Sequence, residues 1–419
     1  MTRHPLSRLL YNLGTGAYFL GIRLVAPFNP KARLMVEGRK ETLGRLREKR
    51  KPSDRYLWIH ASSLGEFEQG RPVIEAVKKA HPEYKICLTF FSPSGYEVRK
   101  DYPLADLVLY LPFDGSRDLE AFVRLLSPEI VLFVKYEFWL GTLSLLRRMG
   151  IATYLISAKF RPGQPFFKPW GAIFREALGT FREIFVQEQG SADLLAGIGV
   201  TNVTVAGDTR ADRVIEIARN PARLPIARRF ISEARDEGHP VLVVGSSWDK
   251  DEERYLPFLK KHRDEIRTII APHEIGEERL RSLERATSPL KSHRYSLGEA
   301  PTGTEILVID QIGFLSSIYA GADLAYVGGG FGAGIHNILE PAVYGLPVIF
   351  GPEHGKFAEA DALIKKGGAF SYETEEELAR LLERLLKDEN FRQRSGQASA
   401  DFLRENAGAT DLILAHIFG

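Results

Sequence analysis

A glycine-rich stretch in the second half of the chain carries the residue types best suited to hold a phosphate and a ribose. The stretch Gly328-Gly-Gly-Phe-Gly-Ala-Gly-Ile-His-Asn-Ile-Leu-Glu-Pro341 follows an apolar run at 323–327, so the backbone can turn sharply and approach a bound group closely. We predict a helix beginning near His336 or Asn337, whose N–H groups face a phosphate on the loop. Glu340 can accept hydrogen bonds from two neighbouring ribose hydroxyls. The alternative, a glycine turn that packs a helix on its strand, remains open because a glycine loop alone is a weak motif.

Two acidic side chains in the first half stand where apolar strands end. In Trp58-Ile-His-Ala-Ser-Ser-Leu-Gly-Glu66 the strand ends in small residues, and Glu66 opens the next helix. The helix dipole should hold this carboxylate ionised and ready to accept a proton, although an acid at this place is also a common helix cap. In Val134-Lys-Tyr-Glu-Phe-Trp139 a buried strand delivers Lys135 and Glu137 beside aromatic residues. Burial of either charge requires a partner, so this is a site or a structural ion pair.

Two further loops follow strands and carry groups that can hold an anion. In Ala206-Gly-Asp-Thr-Arg-Ala-Asp212, Arg210 is placed to reach an anion across a cleft. In the stretch that begins at Val243 and ends at Glu253, a strand turns through Gly245, Ser246 and Ser247 into an acidic helix start, which is a second candidate for a phosphate or sugar contact. Each loop also has a plain capping explanation, and their recurrence at strand ends favours a common site.

The elements that must position these loops are short apolar runs alternating with helical segments, the pattern of parallel sheets covered by helices. The predicted strands lie at 56–61, 84–91, 107–111, 130–134, 152–157, 183–187, 203–206, 241–245, 268–271, 306–310, 324–327 and 348–350. The fold class is therefore α/β, with two doubly wound domains at 51–217 and 226–419. A proline-containing linker at 218–225 joins them, and helices follow Thr374. Ligands of such sheets bind at the carboxyl ends of the strands, so a substrate is expected in the cleft between the domains.

The first 50 residues form a separate basic and apolar segment. Residues 1–51 carry twelve Lys or Arg against three acids, while the whole 419-residue chain has a net charge of only +2. The apolar part at 9–22 is too short and too interrupted to span a bilayer, so we expect it to lie on an anionic membrane surface. The alternative is an amphipathic helix packed on the protein. The residues expected at headgroup level are Arg3, Arg8, Arg23, Lys31 and Arg33.

The amino-acid composition and the distribution of charge argue against two classes of protein. The single cysteine, Cys87, lies in an apolar run and is predicted to be a core residue, and one cysteine excludes a disulfide framework. A nucleic-acid partner is not expected, because the basic residues cluster at the apolar terminus and not on an aromatic-studded basic sheet.

The ordered set of motifs resembles the 3-deoxy-D-manno-octulosonic acid (Kdo) transferases, the bacterial enzymes that move Kdo from its CMP-activated form onto the lipid A precursor. The resemblance extends over nearly the whole chain and is carried by His60-Ala-x-Ser-x-Gly-Glu66, Glu137-x-Trp139, Gly207-Asp-x-Arg-x-Asp212, Gly245-Ser-Ser247 and Gly328-Gly-Gly…His336-Asn-x-x-Glu-Pro341. It implies an inverting glycosyltransferase of the GT-B type at the cytoplasmic face of the inner membrane. It also implies that neither a metal nor a cofactor is needed.

The resemblance also implies a role for individual residues. The family's general base falls on Glu66. The positions implied for the CMP-Kdo donor are Arg210, Ser246, Ser247, Pro272, His273, Gly329, Gly330, His336, Asn337 and Glu340. Those implied for the lipid A precursor are Ser63, Gly65, Glu137, Lys159 and Arg161.

The chain departs from the family pattern at three places. Lys135 stands where the family commonly has a glutamate, Arg210 where it often has lysine, and Ile156-Ser-Ala-Lys-Phe-Arg161 where it usually has Asn-Ala-Arg. Two other functions remain as alternatives. One is a UDP-sugar transferase or epimerase of the same architecture, and the other is a membrane-bound nucleotide-sensing scaffold without turnover.

One proline-rich segment carries aromatic residues among basic ones. Arg161-Pro-Gly-Gln-Pro-Phe-Phe-Lys-Pro-Trp170 places Phe166, Phe167 and Trp170 after a predicted strand. We predict that it forms, with the N-terminal segment, an apolar cationic rim for a lipid; aromatic packing in the core is the alternative.

Overall fold

Alternating apolar runs and helical segments fold into two parallel sheets of seven strands each. The computed structural model describes residues 4–332, 334–355 and 357–419, so Arg3 lies outside the described residues. The strands are β1 (Arg55–Ala61), β2 (Tyr84–Phe90), β3 (Leu107–Tyr110), β4 (Ile130–Val134), β5 (Ala152–Ala158), β6 (Glu183–Val186), β7 (Val203–Val205), β8 (Val241–Ser247), β9 (Arg267–Pro272), β10 (Ser292–Arg294), β11 (Ile306–Val308), β12 (Leu324–Val327), β13 (Val348–Phe350) and β14 (Ala369–Ser371).

Helices connect these strands and cover the sheets. They are α1 (Pro5–Val25), α2 (Pro30–Lys49), α3 (Leu64–Ala80), α4 (Pro93–Arg99), α5 (Arg117–Leu126), α6 (Leu140–Arg148), α7 (Ala172–Leu178), α8 (Gln189–Ala196), α9 (Thr209–Arg219), α10 (Pro225–Asp236), α11 (Asp249–Lys261), α12 (Glu277–Thr287), α13 (Leu315–Ile318), α14 (Leu339–Ala342), α15 (Ala358–Lys366), α16 (Glu375–Lys387), α17 (Glu389–Glu405) and α18 (Ala409–Phe418). Short 3-10 turns lie at Pro165–Phe167, Tyr295–Leu297 and Tyr319–Gly321.

The chain divides into two units, each built on one sheet. The first unit comprises Met1–Asp212 and Gly408–Gly419, and the second comprises Arg213–Ala407. The sequence predicts a division at 218–225 and a single domain at 226–419. In the structure the division falls inside α9, and the last helix joins the first unit.

Helix α18 belongs to the first unit because its contacts lie there. The Asp212 carboxylate accepts hydrogen bonds from the backbone N–H groups of Gly408 and Thr410, at 2.6 and 2.7 Å. Phe418 stacks on His81 at a centroid distance of 3.9 Å, and Ile413 is fully buried in the apolar layer over the sheet. These are contacts between distant parts of the chain, which local sequence patterns do not report.

In each sheet, the strand order reverses beside the first strand of that sheet. The first sheet runs β3-β2-β1-β4-β5-β6-β7, and the second runs β10-β11-β9-β8-β12-β13-β14. The reversals therefore lie between β1 and β4 and between β8 and β12. The twelve predicted strands correspond to β1–β9 and β11–β13, while β10 and β14 are additional edge strands of three residues.

Each sheet is buried on both faces, as parallel sheets require. Along β1, Trp58 packs with one apolar cluster and Ile59 with the cluster on the opposite face. Cys87 on β2 is fully buried, as the sequence analysis predicts for a core residue.

Helix α1 docks on the first unit through its aromatic side chains. Phe19 is buried against Phe113, at a ring-centroid distance of 4.4 Å, and also contacts Phe91 and Trp139. These partners follow β2, β3 and β4, so the helix lies over the carboxyl ends of those strands. The buried guanidinium of Arg39 on α2 donates to the carbonyl oxygens of Phe91 and Leu111, both at 2.8 Å, and joins α2 to the same region.

The other face of α1 is apolar and exposed. Its exposed side chains are Leu6, Leu9, Leu10, Leu13, Tyr18, Leu20, Leu24 and Val25. Among the described residues, no single helix is long and apolar enough to cross a membrane. Helices α1 and α2, which meet at a bend of 110°, meet that criterion only when they are taken together.

Candidate functional site

Glu66 and Glu137 lie at the point of the first sheet where the strand order reverses. Glu66 is on the first turn of α3, which follows β1, and Glu137 follows β4, the neighbour of β1. The carboxyl ends of strands on either side of such a reversal form the usual crevice for ligands in open α/β sheets. Two carboxylates at this place make it the candidate catalytic site of the first unit.

The Glu66 carboxylate is a helix cap with a strongly raised pKa. Its Oε2 accepts hydrogen bonds from the backbone N–H groups of Ser62 and Ser63, at 2.5 and 3.3 Å, in a capping box. Burial, and then the charge of Glu137, raise the pKa of Glu66 to about 7, although the two N–H groups and Lys135 act to lower it. The helix terminus was expected to keep this carboxylate ionised; instead, burial outweighs it. A group that titrates near neutrality is well matched to accept a proton.

Glu137 is buried and held by two ring N–H groups. Its Oε2 lies 3.2 Å from Nε2 of the fully buried His60 and accepts a hydrogen bond from Nε1 of Trp139 at 2.5 Å. Glu137 therefore has partners but forms no ion pair with Lys135 among the contacts that the structure describes. Lys135 adopts a left-handed backbone conformation with φ of +67°, which is uncommon for a residue with a side chain.

Both ring nitrogens of His60 have hydrogen-bond partners. Trp58 can only donate, and its Nε1 lies 2.8 Å from Oγ1 of Thr89, so this oxygen is the acceptor. Nδ1 of His60 lies 2.9 Å from this hydroxyl oxygen and 3.2 Å from the backbone carbonyl oxygen of the same Thr89. Since the carboxylate of Glu137 accepts and does not donate, a hydrogen bond at the other ring nitrogen, Nε2, places a proton of His60 there. From the sequence, His60 is distinguished only as part of a motif, because a histidine in a buried strand resembles an ordinary core residue.

The other residues predicted to bind the acceptor lie in two places, at the start of α3 and after β5. Ser63 is the N-cap residue of α3, and Gly65 is exposed on its first turn. Lys159 forms an ion pair with Glu188 at 3.1 Å, and Arg161 is exposed. Ser63 and Gly65 thus lie beside Glu66 in the chain, whereas Lys159 and Arg161 follow β5, the next strand of the sheet.

The second unit contains a cavity of about 590 Å³ at its own reversal of strand order. The loops after β8 and β12 supply most of its wall. The lining residues are Trp248, Asp249, Lys250, Asp251, His273, Gly329, Phe331, Gly332, Gly334 and His336. Gly329, His273 and His336 were predicted from the sequence, whereas Trp248 and Lys250 were not singled out.

Three aromatic rings stack in this cavity. Trp248 lies over His273 at a centroid distance of 4.3 Å, and His273 lies over His336 at 4.5 Å. Burial, and then the neighbouring His273, lower the pKa of His336 to about 4, so this ring is neutral at pH 7. Nε2 of His336 can therefore accept the hydrogen bond from Nε1 of Trp248 at 3.2 Å. The stack offers a flat apolar surface to an aromatic ligand.

The glycines of the loop after β12 allow backbones to pack closely. A Cβ atom on Gly328 would lie 2.3 Å from the carbonyl oxygen of Ser246, and one on Gly330 would lie 2.6 Å from the backbone of Gly351. Gly329 has a φ of +95° and donates its N–H to Asp251 at 3.0 Å. These glycines thus let neighbouring loops pack closely against one another. This is similar to the alternative given above, in which the glycine turn serves packing.

The helix predicted near His336 is only one turn, α14, and begins at Leu339. Asn337 organises this turn, because its Oδ1 accepts from Leu339 N–H and its Nδ2 donates to Glu340, at 3.1 and 3.0 Å. The second carboxylate oxygen of Glu340 accepts from Ser316 at 2.7 Å. A helix this short does not supply the expected anion site. The Glu340 carboxylate accepts from two protein donors and can accept further hydrogen bonds, so its contact with ribose hydroxyls stays a prediction.

The residues predicted after β8 and β9 divide into buried and exposed positions. Ser246 has a left-handed φ of +52°, and the following Ser247 is fully buried, with its hydroxyl 2.8 Å from Glu252 and 2.9 Å from Tyr255. Its hydroxyl is therefore part of the core and not of the cavity wall. Pro272 is also buried, as the last residue of β9, so His273 is the residue of that loop that reaches the cavity.

Arg210 lies at the start of α9 in the first unit. Its guanidinium forms a two-pronged ion pair with Asp208, with the closest nitrogen–oxygen distance at 2.5 Å. An anion bound by Arg210 would share this guanidinium with Asp208. In the part of the chain that the structure describes, no group of three or more His, Cys, Asp or Glu side chains is arranged to hold a metal ion.

The close packing of Gly330 leads to the first testable prediction. Gly330→Ala forces the backbone of Gly351 to move, and such overpacking costs about 1–3 kcal/mol, so the melting temperature of the full chain should fall. The matched control is Gly332→Ala, because a Cβ there would meet nothing closer than 3.8 Å. Thermal unfolding of both variants checks this, and equal melting temperatures would contradict the packing role.

Comparisons with known proteins identify relatives of this chain. Residues 37–213 match the family model described as 3-Deoxy-D-manno-octulosonic-acid transferase (kdotransferase). A 3-deoxy-D-manno-octulosonic acid transferase of Chlamydophila psittaci is 27% identical over 365 residues, which is 84% of this chain and 82% of that protein.

Solved structures are similar in fold. The UDP-GlcNAc 2-epimerase from Neisseria meningitidis bound to UDP-GlcNAc has a TM-score of 0.60 and 14% sequence identity. The match covers 87% of this chain and 99% of the epimerase chain. MurG from Acinetobacter baumannii has a TM-score of 0.55 and 15% identity, with the same coverage. At these identities the likeness concerns the fold, which is the GT-B type.

Proposed function

Since the chain belongs to the Kdo transferase family and is a glycosyltransferase, we propose that it transfers Kdo from CMP-Kdo to a hydroxyl of a lipid A precursor, with inversion at the anomeric carbon. The observation that carries the proposal is Glu66, a carboxyl group at the strand reversal whose pKa is raised to about 7. At neutral pH about half of such groups are ionised, so Glu66 can take a proton from an alcohol and is not too weak a base to do so.

The reaction that we propose forms one bond and breaks one. The acceptor hydroxyl oxygen attacks the anomeric carbon of Kdo, and its proton passes to Glu66. The bond between that carbon and the phosphate oxygen breaks, and CMP leaves with the electron pair. Glu137 stays in place through its bonds to His60 and Trp139, and its charge keeps the proton affinity of Glu66 high.

The cavity of the second unit is the proposed donor site. The stack of Trp248, His273 and His336 provides a surface for the cytosine base. Lys250, on the first turn of α11, lines the same cavity and is a cation available to the phosphate. Arg210 is proposed to add positive charge as the leaving phosphate gains negative charge. We propose that no cofactor or metal takes part.

The membrane surface is the proposed location of the acceptor. The exposed leucines of α1, together with Arg8 and Arg23 on the same helix, suit a helix that lies in the headgroup region. We propose that the enzyme binds in this way to the cytoplasmic face of the bacterial inner membrane.

The choice of nucleotide separates this proposal from its alternative, a UDP-sugar enzyme of the same fold. We expect CMP to raise the melting temperature of the full chain, whereas UDP at the same concentration should not, because binding to the folded state alone stabilises it. Incubation with a CMP-Kdo-generating system and lipid A precursor, followed by mass spectrometry, should then give a product heavier by one or more Kdo residues. Protection by UDP without this product would favour the alternative. Nucleotide binding without any product would favour a sensing scaffold.

A further inference from the structure

Beside helix α1, the first unit contains a second cavity, of about 500 Å³, with three arginines in its wall. We call it the arginine cavity. Arg8 comes from α1, whereas Arg147 and Arg148 form the end of α6. Part of the remaining wall is apolar and is formed by Leu140, Ile173 and Ala177. A cavity that combines guanidinium groups with apolar side chains suits an anion attached to a hydrocarbon.

The positive charge of the arginine cavity is largely uncompensated. Among the described residues, none of the three guanidinium groups forms an ion pair; Arg148 donates to the hydroxyl of Ser144 at 3.1 Å. Among the described residues that line the wall, Glu176 is the one acidic residue, and it forms no ion pair with any other described residue. Basic residues at the end of a helix can simply complement its dipole. That explanation does not apply to Arg8, which lies on the first turn of another helix.

Arg8 is held at the cavity because α1 is fixed by Tyr11, one turn further along. The hydroxyl of Tyr11 donates to Asp114 at 3.0 Å and accepts from the backbone N–H of Leu140 at 3.1 Å. Since Leu140 itself lines the cavity, these bonds position the start of α1 against its rim. The arrangement depends on contacts between distant parts of the chain and is therefore built into the fold.

The surroundings of the arginine cavity are those of a membrane interface. Leu9 and Leu13, on the same helix as Arg8, are exposed. Trp170 is 64% exposed and packs edge-on against Phe174, which in turn contacts Tyr11. Exposed leucines, an exposed tryptophan and arginines near one another are typical of surfaces that rest in the headgroup region of a bilayer. Phe166, in contrast, is buried in the core and Phe167 is partly buried, so of the three aromatic residues predicted for the rim Trp170 is the exposed one.

We propose that the arginine cavity binds the phosphate group of a lipid that is held in the membrane. A guanidinium group can bind two phosphate oxygens at once, and the wall of the cavity carries three such groups from two helices. The apolar wall then contacts the adjoining carbon chain. The phosphate can belong to a bilayer phospholipid or to the sugar acceptor itself. Only the second source rests on the proposed function.

The experiment compares vesicle binding of full-length variants. Sedimentation with vesicles of phosphatidylglycerol and phosphatidylcholine should show about tenfold or greater loss of affinity for Arg147→Gln/Arg148→Gln, since each cation near an anionic surface contributes substantially. Lys260→Gln/Lys261→Gln is the matched control, because these residues also form the basic end of a helix, α11, and line no part of the arginine cavity. The control should lose less than twofold. Should the double variant fail to fold, the two single variants are tested in the same way.

A second measurement distinguishes the two sources of phosphate. If the phosphate belongs to the acceptor, the KM for lipid A precursor in neutral detergent should rise in the arginine variant while the KM for CMP-Kdo stays constant. If it belongs to the bilayer, only vesicle binding should change. The proposal is overturned if neither quantity changes, or if the control loses as much vesicle binding as the arginine variant. Absence of Kdo transfer in the wild-type protein, with vesicle binding intact, would refute the proposed function alone.

Discussion

Replacing Glu66 by glutamine is expected to lower the rate of Kdo transfer by about 10²- to 10⁴-fold, the usual contribution of a general base. Glutamine keeps the shape of the side chain, and its amide oxygen can still accept the bonds from Ser62 and Ser63 that close the capping box. It cannot accept the proton of the attacking hydroxyl. Initial rates at saturating substrate concentrations should therefore be lower in the variant. CMP should still raise its melting temperature, which shows that donor binding is retained.

The chain contains a matched control for this substitution. Glu377 occupies the same capping-box position at the start of α16, where it accepts from Glu373 and Thr374 N–H groups, but it is exposed and lies in the second unit. Glu377→Gln should leave the rate within about twofold. Comparable losses in the two variants would mean that Glu66 acts only as a cap.

Thermal unfolding of the same Glu66 variant gives a second readout, independent of substrate. Burial raises the pKa of Glu66 from an ordinary glutamate value to about 7, so the folded chain binds a proton that the unfolded chain releases between these values. Stability from this group is present at low pH and is lost as the pH rises through about 7. Glu66→Gln avoids this loss and should melt above the wild type at pH 8, with a smaller difference at pH 5.

The strands were predictable because each central strand is predominantly apolar. The edge strands β10 and β14 were not, because neither contains an apolar run; β10 consists of Ser292, His293 and Arg294, and β14 of Ala369, Phe370 and Ser371. The position of α18 could not be predicted either. Its place in the first unit depends on Asp212 and His81, which are distant in sequence.

The site was predictable as a set of loops, but the state of its groups was not. Local sequence places Glu66 after a strand, whereas its proton affinity depends on burial and on Glu137, which folding brings near. For Ser247 the prediction fails in another way, because a hydroxyl expected to contact the donor is buried in the core. Strand β8 continues to this residue after the left-handed turn at Ser246, so its hydroxyl enters the core.

The pH dependence of transfer is the second large effect expected. Because burial and Glu137 raise the pKa of Glu66 to about 7, kcat/KM should rise with pH and level off above that value. At pH 6 only about one group in ten is ionised, so kcat/KM should be about tenfold below its plateau. Rates measured from pH 5 to 9 at low acceptor concentration check this. A profile that is flat from pH 5 to 8 would exclude a base with this pKa.

Two neighbours of Glu66 should move this profile in opposite directions. Glu137 raises the pKa of Glu66, so Glu137→Gln should shift the acidic limb to lower pH; Lys135 lowers it, so Lys135→Gln should shift the limb to higher pH. Damage to the fold would lower the maximal kcat/KM of both variants, but it would not shift the acidic limbs of their pH profiles apart. Opposite shifts of the two profiles would therefore show that the electrostatic field at the Glu66 carboxylate causes them. Shifts in the same direction would contradict it, and would leave the lysine that replaces the family's usual glutamate without an electrostatic role at this carboxylate.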